Sequence, residues 1–239
     1  MPKPLKKTKD KILAITTGDH RGIGPEVISK ALHKLKNSNV LIFGDETLYR
    51  PFKKILPKKW TQWTELEVFS ADGGPFSDPK KSFNKGNLNF VTVNVQSVPP
   101  PLKAAYASGR YIELATKLAL SKKVSAIVTG PIDKYEIKKA GFAFDGHTEM
   151  LQALCNSASV TMMLAGRTMR ASLATTHIPL KDVSQKLTSA AIVQCIENTV
   201  IGLNTVFKIK KPRIAVLGLN PHGGDNGLFG DEESTKIKP

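Results

Sequence analysis

Three histidines stand where chemistry could be done. His147 follows the turn dipeptide Asp145-Gly146 and opens the run His147-Thr148-Glu149, three hydrogen-bonding side chains in succession. His177 ends the apolar run that begins at Ala171, and His222 follows the one that begins at Ile214. Neutral imidazoles that converge can hold a divalent cation, so a three-histidine metal site is one reading. Histidines hydrogen-bonded within a packed interior are the other. His20 and His33 lack such a setting, His33 falling on a helix face expected to be exposed. The chain has no His-Glu-x-x-His, which argues against a zincin peptidase, and no Gly-x-Ser-x-Gly elbow, which argues against an α/β-hydrolase. These residues by themselves point to a metal-assisted α/β enzyme acting on a small anionic substrate.

The elements that must position these residues alternate between strand and helix. A short apolar strand over 11–17 runs into Gly18-Asp-His-Arg-Gly-Ile-Gly-Pro-Glu26 and then into a helical pattern through Val27, Ile28, Ala31, Leu32 and Leu35. Pro25 suits the first helical position and Glu26 the positive helix end. A strand, a glycine-rich turn and a helix start can offer backbone N–H groups to an anion. The glycines at 18, 22 and 24 form neither a Gly-x-Gly-x-x-Gly fingerprint nor a Walker A loop, so a tight βα turn is the competing reading. A second strand covers 39–45. The segment 46–101 reads as peripheral, with strand candidates at 66–69 and 88–95 and with Trp60 and Trp63 as packing anchors.

Next come a helix over 108–121 with Ser108 as its N-cap, a buried strand over 124–129, a short helix over 135–140 and a helical continuation over 148–156. Strands over 160–165 and 170–176 flank the turn Gly166-Arg167. A long helix over 180–203, a last strand over 212–219, a glycine-rich loop over 220–230 and a helix starting at Asp231 complete the chain. Such alternation implies a mostly parallel sheet, in which ligands gather at the carboxyl ends of strands. The polar stretches 18–24, 129–134, 175–177 and 220–224 all fall at expected strand ends, which predicts one shared site.

Composition narrows the class. At 239 residues with 41 % hydrophobic residues, the chain can bury a core as one large or two moderate domains. Its apolar runs are too short to span a bilayer, and the run at 12–15 is too short for a signal-peptide core, so a cytoplasmic protein with no membrane association is expected. Cys155 and Cys195 lie in apolar helical patterns and read as buried free thiols. The net charge is +15, of which residues 1–11, with five lysines and one aspartate, hold +4. Residues 1–10 read as a disordered basic tail, followed by one α/β region over 11–239. The rest of the charge is scattered as lysine pairs, which suits a solvated surface better than a nucleic-acid interface. Such a field would also attract a phosphorylated or carboxylate substrate.

Taken together, Thr17-Gly-Asp-His-Arg-Gly-Ile-Gly-Pro-Glu26, Val128-Thr-Gly-Pro-Ile-Asp-Lys134, Gly146-His-Thr-Glu149, Met162-Met-Leu-Ala165, Thr175-Thr-His-Ile-Pro-Leu180 and Gly218-Leu-Asn-Pro-His-Gly-Gly224 resemble the ordered motifs of the 4-hydroxythreonine-4-phosphate dehydrogenase (PdxA) family of vitamin B6 synthesis. The resemblance runs from about Lys11 to the last residue. It implies a two-domain α/β/α architecture similar to isocitrate and isopropylmalate dehydrogenases, without a Rossmann fingerprint. It implies NAD(P)-dependent oxidation and decarboxylation of 4-phosphohydroxy-L-threonine, assisted by a divalent metal (Zn, Mg or Co), in a cytoplasmic homodimer. Relatives of the family act on other 4-phosphorylated hydroxy acids or on dihydrodiol carboxylates.

By this resemblance His147 and Thr148 bind substrate, while His177 and His222 are two of three metal ligands. The third would lie in a Tyr-His-Asp-Gln motif that this sequence does not reach, so the resemblance implies a chain truncated at its C-terminal side. A shortened, inactive binding protein is then the alternative to an enzyme. No residue is assigned to catalysis or to the cofactor. The sequence departs from the family pattern at His20-Arg21 (usually Pro-Ala), at Gly130 (usually Ala) and at Asp225 (usually Glu).

Overall fold

The computed structural model describes residues 12–35, 39–57, 59–69 and 88–239, so the basic segment 1–10 lies outside the described residues. The chain divides into two compact units, residues 1–156 and 157–239. Each is described by itself.

In the first unit five strands form one sheet: β1 (Ile12–Thr16), β2 (Asn39–Phe43), β3 (Trp60–Thr64), β4 (Leu88–Thr92) and β5 (Ala126–Thr129), in the order β3-β4-β2-β1-β5. Every pairing is parallel. Parallel strands are covered on both faces and therefore read as unbroken apolar runs, as in Ile12-Leu-Ala-Ile and Val40-Leu-Ile-Phe43. Alternation along the strand splits the core in two. Leu41 and Phe43 point to the side packed by helix α3 (Lys103–Leu120), through Ala107, Tyr111, Leu114 and Leu118. Val40 and Ile42 point to the side packed by α1 (Gly24–Lys34) and by the 3-10 turn Glu46–Phe52, through Ile28, Leu32 and Tyr49.

Several expectations shift. The strand expected at 66–69 lies at Trp60–Thr64, and helix α2 (Glu65–Phe69) takes its place. Trp60 packs on Phe90 at 5.5 Å between ring centroids and Trp63 packs against the other face, so odd spacing sends the two anchors to opposite sides of the sheet. Strand β4 stops at Thr92 rather than at residue 95. Ser108 is not a cap: α3 begins five residues earlier, and the buried Ser108 hydroxyl donates to the Ala105 carbonyl at 2.8 Å. Among the described residues β5 pairs with β1 alone, and Val128 is 50 % exposed, so this strand is an edge and not buried.

Helix α4 (Lys134–Lys139) and helix α5 (His147–Leu154) complete the unit. They are held to α3 by Ile112, Ile137, Phe142 and Met150. Gly109 makes this possible, because a Cβ there would stand 2.4 Å from the Phe142 ring.

The second unit holds the antiparallel hairpin β6 (Met162–Ala165) and β7 (Arg170–Leu173), closed by the Gly166 N–H on the Met169 carbonyl at 2.8 Å. The long helix expected over 180–203 is broken into a 3-10 turn Leu180–Asp182, α6 (Val183–Lys186) and α7 (Ser189–Thr205). Thr188 causes the break. Its hydroxyl accepts the Ala191 N–H at 3.2 Å, which caps a new helix instead of continuing the old one.

Residues 212–219 form no strand. Their apolar pattern has no ladder partner among the described residues, and Leu217 is 83 % exposed. The expected helix at Asp231 is a π-helical turn, Glu233–Ile237. Both cysteines are free, but Cys155 is exposed where α5 ends and Cys195 is half-buried, so neither is a buried thiol. Among the described residues no helix is long and apolar enough to cross a membrane.

Candidate active site

Three motif segments meet at the carboxyl ends of β1 and β5. Gly130 donates its N–H to the Thr16 carbonyl at 2.8 Å, and Asp19 donates its own to the Pro131 carbonyl at 2.9 Å. The approach is close enough to require glycine on both sides. A Cβ on Gly18 (φ 76°) would lie 2.1 Å from the Pro131 oxygen, and one on Gly130 would lie 2.4 Å from the Thr17 oxygen. The second contact explains the departure at 130: alanine does not fit the loop as this chain folds it.

The glycine-rich turn after β1 spends several of its amides on itself and on the neighbouring loop, which favours the tight-turn reading. Its amides at Asp19, Arg21 and Gly22 are already engaged, by the Pro131 carbonyl, the Asp19 carboxylate and the Asp19 carbonyl. Asp19 is buried and also accepts the Arg21 guanidinium, from Nε at 3.0 Å and from the terminal nitrogen at 2.6 Å. The Arg21 bonds hold the Asp19 carboxyl below its ordinary range, against the opposing effect of burial. Thr17 is structural too, with its hydroxyl 2.7 Å from the Tyr49 phenol.

His147 lies beside the second of these segments, at Gly130. Asp133 caps α4 by accepting the Tyr135 and Glu136 N–H groups at 3.0 Å, which makes Lys134 the first helical residue. Lys138 pairs with Asp145 at 2.5 Å across the turn that leads to α5. His147 then opens α5, and its ring bonds to the Gly130 backbone. Burial lowers the His147 pKa; the Gly130 bond opposes this, and the nearby Lys134 charge adds to it. His147 Nε2 and Glu149 Oε2 are buried with no hydrogen-bond partner. Thr148, half-buried, stands between them on the same turn.

In the second unit His177 and His222 are both exposed, and both hold left-handed backbone, at φ 57° and 53°. His222 begins a run of five such residues that continues through Gly223, Gly224, Asp225 and Asn226. For the non-glycine members this costs about 1–2 kcal/mol each, less for Asp and Asn. Sequence reasoning missed the clasp on the residues just before it. Glu233, buried, accepts the backbone N–H groups of Leu219 and Asn220 on Oε1 at 2.7 and 2.6 Å, and the Asn220 amide on Oε2 at 2.9 Å. Glu232 accepts the same Asn220 amide at 2.6 Å and the Ser184 hydroxyl. These two bonds, Ser184 first, draw the Glu232 pKa down to about 2. The signal available in the sequence was a polar loop whose amides needed an acceptor.

The expected loops at strand ends therefore divide. Those at 18–24 and 129–134 follow parallel strands and touch, whereas 220–224 follows no strand. Two imidazoles are the right donor type for a divalent ion but fewer than a tetrahedral set, and the described residues contain no cluster of three metal-ligating side chains. His177 and His222 fit a metal only as part of a larger donor set.

The sequence matches the family described as "Pyridoxal phosphate biosynthetic protein PdxA" over residues 36–239. The chain belongs to the PdxA family. Among curated relatives, a 4-hydroxythreonine-4-phosphate dehydrogenase of Sulfurihydrogenibium sp. is 35 % identical over 229 residues, covering 95 % of this chain and 68 % of the relative. One of Desulforapulum autotrophicum is 36 % identical over 237 residues, with 95 % and 67 % covered. The crystal structure of 4-hydroxythreonine-4-phosphate dehydrogenase from Klebsiella pneumoniae is similar at a TM-score of 0.77 and 32 % identity, covering 96 % of this chain and 70 % of that one. The chain thus spans about two thirds of the length of the PdxA relatives it matches, and those relatives are dehydrogenases by name.

Proposed function

We propose that this PdxA-family chain serves the NAD(P)- and divalent-metal-dependent oxidation and decarboxylation of 4-phosphohydroxy-L-threonine, on the route to pyridoxal 5'-phosphate, in a cytoplasmic homodimer. The observation that carries this reading is the meeting of the segments 17–24, 130–134 and 146–149 around His147, in a chain whose relatives bear that enzyme name. When bound, the nicotinamide supplies a hydride acceptor and the metal supplies Lewis-acid stabilisation of negative charge on oxygen.

The chain's own residues bind and orient. His147, fixed by the Gly130 backbone, and Thr148 beside it hold the substrate; burial of Nε2 keeps water from competing for it. His177 and His222 contribute two imidazoles to the metal. The Lys134 charge beside His147 favours a phosphorylated anion.

The test is NADH formation by the purified chain with NAD, a divalent salt and 4-phosphohydroxy-L-threonine, paired with calorimetric binding of the same substrate. Binding together with NADH production is expected, and unphosphorylated 4-hydroxy-L-threonine should give neither. Absence of both binding and NADH with the phosphorylated substrate would refute the reading.

A further inference from the structure

Residues 212–219 of the second unit, Pro212-Arg-Ile-Ala-Val-Leu-Gly-Leu219, have the composition of a strand covered on both faces. Neither their side chains nor their main chain is covered. Ile214, Val216, Leu217 and Leu219 are all exposed, and among the described residues no backbone N–H or carbonyl of 210–218 is bonded to another backbone group. Beside the run stands an apolar cavity of about 730 Å³, lined by Leu173 of β7, by Ile192, Ile196 and Leu203 of α7, and by Ile214 and Val216 of the run itself. Protein interiors hold few voids larger than a water molecule. Here core-type residues surround space for several side chains, next to a main chain whose donors and acceptors have no ladder. The two features call for one occupant, a polypeptide that supplies both a strand and apolar side chains.

A small apolar molecule would fill the cavity and leave the main chain unpaired. A second copy of this chain would bring the same run, paired about a twofold axis, and would leave both cavities as they are. The PdxA relatives carry more. The stretch they share with this chain is 67 to 70 % of their length, so about a third of these relatives is polypeptide with no counterpart here. We propose that the run 212–219 and the cavity beside it are the docking surface for that remaining third, which adds a strand to the run and packs apolar side chains into the cavity. Family membership carries this, independently of the activity proposed above.

The part of the Klebsiella pneumoniae dehydrogenase that this chain does not cover, made as a separate polypeptide, is the probe. Mixed with the full 239-residue chain, it should form a saturable one-to-one complex in calorimetry. Hydrogen exchange should find the amides of 213–218 open in the chain alone and slowed by at least about tenfold in the complex. Leu217 is 83 % exposed, so Leu217→Lys should leave the melting temperature of the chain unchanged. It should weaken the complex by about tenfold or more, because docking would bury its charge. If the separate polypeptide is insoluble, tethering it to the chain through a flexible linker should give the same protection. Amides of 213–218 that stay open in both formats, or wild-type binding by Leu217→Lys, would overturn the proposal. Protection of the run in the chain alone, rising with its concentration, would overturn it in favour of a second copy. None of these readouts uses substrate or NAD, so failure here leaves the proposed activity standing, and an inactive chain leaves the docking surface standing.

Discussion

Glu233 holds Asn220 twice, accepting its backbone N–H at 2.6 Å on one oxygen and its side-chain amide at 2.9 Å on the other. The same carboxylate takes the Leu219 N–H at 2.7 Å. Removing it leaves two backbone donors and one amide without an acceptor. Glu233→Ala should lower the melting temperature of the chain clearly, and Glu233→Gln, which keeps one acceptor oxygen, should lower it less. Thermal unfolding by circular dichroism gives the ranking; equal losses in the two variants would show that charge and not hydrogen bonding is at work.

The same bonds, Asn220's first, depress the Glu233 pKa. A depressed carboxyl contributes stability that is complete above its unfolded pKa and is lost as pH falls through the folded value. Urea unfolding followed from neutral pH down to about pH 3 should show this loss. It should be smaller in Glu233→Gln, which cannot ionise.

Gly109 and Phe142 set a competition between helix propensity and packing. Alanine is favoured over glycine in a helix by about 1 kcal/mol. At 109 its Cβ would sit 2.4 Å from a ring that is itself buried and packed at a tilt 5.9 Å from Tyr106. Overpacking of this kind costs about 1–3 kcal/mol, so Gly109→Ala should be net destabilising, by up to ~2 kcal/mol. Adding Phe142→Leu should recover part of the loss in a double-mutant cycle.

Thr188 caps α7. Thr188→Ala should cost about 1 kcal/mol in denaturant unfolding, and Thr188→Ser only a fraction of that.

His147 should titrate below the ordinary histidine value of 6.5, because burial opposes its charged form. Its depressed pKa adds stability that is complete above the unfolded pKa and fades as pH falls through the folded one. Lys134→Met removes a neighbouring positive charge and should move the His147 titration upward, toward 6.5. Proton NMR of the imidazole reads both; an unchanged or downward shift in Lys134→Met would contradict the assigned contact.

Much of the first unit was legible because burial on both faces writes itself as unbroken apolar sequence, as in β1 and β2. Trp60–Thr64 was not, since Thr-Gln-Trp-Thr lacks that signature and its strand depends on pairing with β4. Residues 212–219 show the converse: an apolar run satisfies the pattern of a strand, yet a strand exists only where another offers it a ladder. The candidate residues His147, Thr148, His177 and His222 were singled out through motif order. The Gly130 bond to His147 and the Glu233 clasp were not, because each joins segments that no local spacing links.

The stretch from His222 to Asn226 is more than one turn of mirror-image helix built from ordinary amino acids. Its two glycines adopt that hand freely and Asp225 and Asn226 adopt it at reduced cost, which leaves His222 as the member that bears the full cost. The residues just before this stretch are fixed by Glu232 and Glu233, carboxylates twelve to fourteen positions along the chain from the groups they bond. Grafting this loop onto another scaffold without Glu232 and Glu233 would therefore transplant the histidine without the bonds that anchor Asn220, two residues ahead of it.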